Sequence, residues 1–131
     1  PESYDIVISS LTFHYLELFP DICKKVHRCL TPGGTFVFSV EHPVFTAYGS
    51  QDWFYDKQRN ILHWPVDRYF SEGKREAIFL GENVTKFHKT LTTYVMGLSK
   101  TVSKSPDSWN RNRIKLFWIP FRVCVTSYDV P

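Results

Sequence analysis

Tyr4-Asp5-Ile6-Val7-Ile8-Ser9-Ser10, then Leu18 to Leu30, then Thr31-Pro32-Gly33-Gly34-Thr35-Phe36-Val37-Phe38-Ser39-Val40 is the stretch on which the fold turns. The first run is short, apolar and β-branched, which reads as a strand buried on both faces in a parallel sheet. From Leu18 to Leu30 the apolar residues Phe19, Ile22, Val26, Cys29 and Leu30 recur at helical spacing. Pro20 and Asp21 suit the first turn of that helix, and Lys24, Lys25, His27 and Arg28 suit its negative end. Thr31-Pro32-Gly33-Gly34 stops it, because glycine takes the left-handed cap and proline cannot continue. Thr35 to Val40 is a second strand. Strand, helix, glycine turn and strand make a βαβ unit with a right-handed crossover.

Outward from this unit the pattern loosens. Residues 41–83 read as irregular, with turn signals at Glu41-His42-Pro43, Tyr48-Gly49-Ser50 and Ser71-Glu72-Gly73. Short strands are expected at Ala77–Leu80 and Val84–His88. Thr90 is a plausible N-cap for a helix to about Lys100, with Leu91, Tyr94, Val95 and Leu98 on one face. The chain of 131 residues, 43% of them hydrophobic, is one domain at most. No apolar run is long enough to span a bilayer. The opening Pro-Glu-Ser-Tyr-Asp does not read as a signal peptide. Three cysteines without a CxxC pair argue against a disulfide framework or a thiolate zinc site and suit a reducing cytosol, so the expected location is cytoplasmic. No metal is expected: Cys23, His27 and Cys29 share no helical face.

Residues 1–100 carry 11 basic and 11 acidic residues, so the net charge of +3 lies wholly in residues 101–131. The aromatic stretch from Trp53 through Trp64 to Phe70 carries Asp52, Asp56, Asp67 and Glu72 as well as basic residues. A nucleic-acid groove is more basic than this, so a nucleic-acid partner is not expected. A lid packed over the sheet and a direct substrate role both suit that stretch.

Ligands of parallel α/β sheets bind beyond the carboxyl ends of the strands. Two loops leave that edge: Ser9-Ser10-Leu11-Thr12-Phe13-His14-Tyr15 and Glu41-His42-Pro43-Val44-Phe45. His14 and His42 therefore fall beside one cleft, unless His14 only enters a helix and His42 only caps the loop before Pro43. There is no GxGxxG turn, Walker lysine motif or GxSxG elbow.

Tyr4-Asp5-Ile6-Val7, Leu30-Thr31-Pro32-Gly33-Gly34 and Thr35-Phe36-Val37-Phe38 together resemble the second half of a class I S-adenosylmethionine-dependent methyltransferase. Glu41-His42-Pro43, the Trp64/Asp67/Tyr69 segment and Val84–Thr90 are similar to a bacterial small-molecule subgroup, and the resemblance covers residues 1–100. It implies an α/β fold: a partial Rossmann-like sheet lacking the first strands, with helices on both faces. It also implies methyl transfer from S-adenosylmethionine to a small-molecule acceptor. By resemblance, Ser9, Ser10, Leu11, His14 and Tyr15 lie at the cofactor. Glu41, Trp53 and Tyr69 lie at the substrate, and His42 or His88 serves as base, an imidazole being available near neutral pH.

The family's Gly-rich turn and ribose-binding acid have no counterpart here, so the chain reads as a fragment with weak or absent cofactor binding. Its strand Tyr4–Ser9 becomes an open edge through which copies can associate. Residues 101–131 also depart from the family. Codons allowed for Lys100–Arg113 can be read in another frame as Asn-Gly-Phe-Lys-Ile-Thr-Gly-Leu-Val-Glu-Pro-Gln-Pro, which restores a Gly-Phe turn and an alternating strand. The tail is thus expected to be frameshifted; the alternative is a genuine tail with strands at Leu116–Ile119 and Val123–Val125. The rival to an enzyme is a binding module for nucleic acid or a protein, using the aromatic lid and basic tail.

Overall fold

In a computed structural model of the chain, residues 4–49, 51–102 and 113–119 are described. Strands β1 (Tyr4–Ser10) and β2 (Leu30–Glu41) pair in parallel, joined by helix α1 (Phe19–Cys29). This is the expected βαβ unit. Strand β2 starts earlier than expected, because Leu30 already pairs with Tyr4 before the register jumps to Ile6 opposite Thr35. Thr31–Gly34 is thus an excursion within the strand. Gly33 turns it with φ of 86°. Gly34 lies so close to the backbone that a Cβ there would meet the Thr31 carbonyl oxygen at 2.9 Å.

Helix α3 (Leu91–Val102) packs against α1 over the same face of β2. Phe19 is the centre of this core: its ring lies 4.8 Å from that of Tyr94, 5.6 Å from Phe38 and 5.7 Å from Phe13. Phe36, Phe38 and Val40 alternate inward along β2, and Val7 of β1 joins them. On α3 the buried line is Tyr94, Gly97 and Leu98. Leu91 and Val95, expected on that face, point outward. Gly97 takes the place of a side chain because a Cβ would stand 3.1 Å from the Phe19 ring.

The opposite face of β1 is open. Ile6 and Ile8 are 59% and 72% exposed, so β1 is covered on one face and not on both as its composition suggested. Among the described residues β1 has β2 as its sole strand neighbour, and the helical layer lies on one face of the sheet. The third strand, β7 (Arg113–Ile119), runs parallel on the far side of β2, giving the order β1-β2-β7. It contains Leu116–Ile119; Val123–Val125 lies outside the described residues.

Residues 41–88 form a cap with more regular structure than the sequence suggested. It comprises helix α2 (Pro43–Ala47), the small hairpin β3 (Phe54–Tyr55) with β4 (Ile61–His63), and the hairpin β5 (Gly73–Phe79) with β6 (Glu82–His88). Leu80 and Gly81, at φ of 52° and 85°, make a two-residue turn whose twist matches the flanking strands. Among the described residues no helix is long and apolar enough to cross a membrane.

Candidate functional site

The carboxyl ends of β1 and β2 are laced together. The Leu11 N–H donates to the Ser39 carbonyl at 2.9 Å, and the Ser10 and Ser39 hydroxyls lie 3.2 Å apart. Leu11 holds φ of 49°, a left-handed conformation that costs energy for a non-glycine residue. The chain then makes a short 3-10 helix, Phe13–Tyr15, which drops Phe13 into the core and buries His14 beneath the strand ends.

Glu41, the last residue of β2, is the focus of a polar cluster. Lys86 from β6 reaches it with Nζ at 2.8 and 3.0 Å from the two carboxylate oxygens. Gln51 completes the arrangement: its Nε2 donates to Glu41 Oε2 at 3.1 Å and to the Phe45 carbonyl at 3.1 Å, and its Oε1 accepts from Lys86 at 2.6 Å. Gln51 is itself left-handed, with φ of 51°. Two strained non-glycine residues therefore flank the strand ends, a pattern that accompanies functional sites. The Lys86 side chain is 3% exposed and that of Glu41 26%, so the ammonium is buried and the glutamate keeps part of its side chain exposed.

His14 adjoins the cluster. Its Nδ1 accepts from the Glu41 N–H at 3.5 Å, which leaves the proton on Nε2, 3.9 Å from Glu41 Oε1. Burial lowers the His14 pKa to about 4; Glu41 opposes the shift, and Lys86 and Lys89 add to it. The ring is thus neutral at pH 7. Tyr15 packs against it with ring centroids 4.3 Å apart and the rings tilted by 47°, and burial, then Glu41, raise the phenol's pKa. Below, the buried Lys89 donates to the carbonyls of Leu16 at 2.5 Å and Phe87 at 3.1 Å, pinning the loop that follows β1. Burial brings its pKa down to about 8.

A second cluster lies two residues further along β6. His88 is fully buried: its Nδ1 meets the Thr46 hydroxyl at 2.8 Å and its Nε2 the Tyr69 carbonyl at 2.7 Å. Burial lowers its pKa. The Tyr69 hydroxyl accepts from the Leu91 N–H at 3.1 Å, at the start of α3. Glu72 accepts from the Thr90 N–H at 2.7 Å and from the Thr90 and Thr93 hydroxyls at 2.6 and 2.5 Å. Burial would raise the Glu72 pKa, but those hydrogen bonds outweigh it and lower the value. Arg75 ties the same loop to α2, donating to the Ala47 carbonyl at 3.0 Å and to the Ser71 carbonyl.

The sequence-expected residues thus separate. Ser9, Ser10, Leu11, His14, Tyr15, Glu41 and His42 gather at the strand ends. Trp53 lies in an edge-on aromatic row with Trp64 and Phe45. His88 and Tyr69 belong to the second cluster, which fixes the cap to α3. His42 caps α2, its Nδ1 accepting from the Val44 N–H at 3.2 Å. Lys86 and Gln51 were missed. The alternation Val84, Lys86, His88 puts Lys86 on the inward face of β6, and that signal was available. Gln51 had none. A groove of about 730 Å³ at the start of α1, lined by Leu16, Leu18, Ile22, Lys25 and Arg28 among others, holds none of the expected site residues. Among the described residues no group of three or more His, Cys, Asp or Glu side chains is placed to hold a metal ion.

The profile of a methyltransferase-domain family matches residues 1–38. A solved structure from Listeria monocytogenes, described as an S-adenosylmethionine-dependent methyltransferase, is 57% identical, with a TM-score of 0.73 over 77% of this chain and 47% of its own. An S-adenosylmethionine-dependent methyltransferase from Mesorhizobium loti is 38% identical, with a TM-score of 0.67 over 77% of this chain and 46% of its own. A Haemophilus influenzae protein of no stated function is 32% identical over 100 residues, 75% of this chain and 39% of that protein. The chain therefore spans less than half the length of each of these relatives. Sequence and fold agree with the resemblance seen in the motifs: the chain is similar to class I S-adenosylmethionine-dependent methyltransferases and has their α/β, Rossmann-like fold class in part.

Proposed function

We propose that this chain is the second half of a class I S-adenosylmethionine-dependent methyltransferase domain, and that the longer protein methylates a small molecule. The observation that carries the reading is the 57% identity to a structure so described, over 77% of this chain. S-adenosylmethionine, when bound, supplies an activated methyl group and leaves as a neutral thioether. The residues here fit part of such a site. Leu11 makes a left-handed turn, the Ser10–Leu11 segment is exposed at the carboxyl end of β1, and Tyr15 is half-buried four residues on. The Gly-rich turn and the acidic residue for the ribose have no counterpart in the chain.

This chain's own residues would orient the acceptor and take its proton. Of the expected bases, His88 uses both ring nitrogens within the cap, and we assign it a positioning role. His42 already spends Nδ1 on Val44. The proton acceptor we assign is the partly exposed Glu41, and Trp53 is kept as a substrate-side candidate. Tyr69 supports the cap rather than the substrate. The free Cys23 and Cys29 suit a cytoplasmic setting. The open β1 edge is where the rest of the domain docks, and where isolated copies of the chain meet. Residues 101–131 remain the proposed frameshifted segment, which the encoding DNA tests: codons that cannot yield the Gly-Phe strand in another frame refute it.

The experiment for the function is transfer of a labelled methyl group by the longer protein, paired with calorimetric titration of S-adenosylhomocysteine. Micromolar binding by the longer protein and none by the 131-residue chain is expected. Saturable micromolar binding by the chain alone contradicts the fragment reading, and no binding by the longer protein contradicts the enzyme.

A further inference from the structure

Glu41 is a carboxylate whose charge is already answered. Lys86 spends its three N–H donors on Glu41 Oε1, Glu41 Oε2 and Gln51 Oε1, so none remains for a ligand. The pair is held from both sides: Gln51 bridges Glu41 to the Phe45 carbonyl, and Lys86 sits within 6 Å of the Tyr15 and Phe79 rings. Glu41 nevertheless keeps 26% of its side chain exposed. What it offers a ligand is a fixed hydrogen-bond acceptor with no net charge behind it. Of the neighbouring groups, burial keeps His14 neutral and Tyr15 stays a phenol, while the cation Lys89 lies below, its N–H groups given to the Leu16 and Phe87 carbonyls.

Resting on the methyltransferase reading above, we infer that this site selects an uncharged hydroxyl on an apolar or aromatic body, and rejects a protonated amine. A hydroxyl donates one hydrogen bond to the exposed edge of Glu41. An ammonium at the same place would share the carboxylate with Lys86, two cations on one anion with like charges a few ångström apart. Gln51, which holds Glu41, also donates to the backbone carbonyl of Phe45, the first ring of the row Phe45–Trp64–Trp53, and we assign that row to the ligand's apolar body. Lys86 and Gln51 are positioning residues, acting through Glu41.

The test needs no cofactor. The 131-residue chain is titrated with p-cresol and with benzylamine, two probes of similar size, one neutral and one cationic at pH 7. The Gln51 side-chain amide and the tryptophan indole N–H signals report binding by NMR. The expected result is p-cresol binding at least tenfold tighter than benzylamine. Lys86→Met exposes an uncompensated carboxylate, so the preference should shrink or reverse toward benzylamine. A merely structural lysine would not produce such an inversion. If Lys86→Met does not fold, Lys86→Arg keeps the cation and should keep the preference, while Glu41→Gln should weaken p-cresol about tenfold. Equal binding of the two probes, binding of neither, or unchanged p-cresol affinity in Glu41→Gln overturns the inference. Methyl transfer by the longer protein separates it from the reading beneath it. Transfer to amines in preference to hydroxyls overturns this selectivity alone. Hydroxyl selectivity without any methyl transfer leaves it standing and overturns the enzyme.

Discussion

Acidification should unfold this chain earlier than its carboxylates alone require, because His14 is buried neutral. Its folded pKa of about 4 lies below the ordinary value of 6.5, chiefly through burial. The folded state therefore binds fewer protons than the unfolded state wherever pH is below 6.5. Stability from this group is fully present above pH 6.5 and is lost as pH falls toward 4. The two-state linkage expression gives a loss of about 1.4 kcal/mol by pH 5.5 and roughly 2.5 kcal/mol by pH 4.5. That is a large part of the 5–15 kcal/mol typical of a domain. The geometry explains why the proton is refused: it would have to enter at Nδ1, which already accepts from the Glu41 N–H, with Lys86 and Lys89 nearby. The assay is urea unfolding followed by circular dichroism at pH 7.0, 5.5 and 4.5, for the natural chain and for His14→Gln, whose amide oxygen can still accept from Glu41. The variant should keep a shallower slope, because His88 titrates in the same direction. Equal slopes for the two proteins between pH 6.5 and 4.5 would refute the reasoning.

Three further outcomes are expected. Phe19→Ala removes the ring shared by α1, α3 and β2, so the urea midpoint should fall by the equivalent of about 3–5 kcal/mol; a loss under 1 kcal/mol contradicts that core. Ile6→Lys with Ile8→Lys should leave the unfolding midpoint nearly unchanged, since both side chains are exposed, and should abolish concentration-dependent self-association in sedimentation velocity. Cys23, buried with its thiol pushed up to about 12, should resist a thiol reagent in the folded chain and react only on unfolding, whereas Cys29 is modified in the folded state.

The βαβ unit was legible because its signals are local and agree. β-branched composition marks β1, helical spacing and dipole-matched charge mark α1, and Pro32-Gly33-Gly34 marks the junction. Thr90 was legible as a cap for the same reason, and its hydroxyl does accept from the Thr93 N–H at 3.2 Å. What escaped depends on distant partners. Helix α2 is one short turn stabilised by the His42 cap and by contact with β6, too short to leave a period. Leu80 adopts a left-handed turn that its residue type does not advertise. Leu91 and Val95 satisfy the helical spacing, yet the Phe19 ring sits against Gly97, so the buried line runs elsewhere. Above all, Lys86, Lys89 and Arg75 are buried cations, each satisfied by carbonyls or a carboxylate from far along the chain. A lysine in a sequence reads as surface unless its partner is known. Ser10, His14 and Glu41 do meet at the strand ends, where the sequence put them, while the groups that hold Glu41 were not foreseen.

The most direct measurement is a crystal structure of the longer protein with S-adenosylhomocysteine. The ligand is expected beyond the carboxyl ends of β1 and β2, with Ser9–Leu11 and Tyr15 against it and Glu41 facing its sulfur side. Ligand bound away from these strand ends, in the α1 groove for instance, would contradict the site and the function drawn from it.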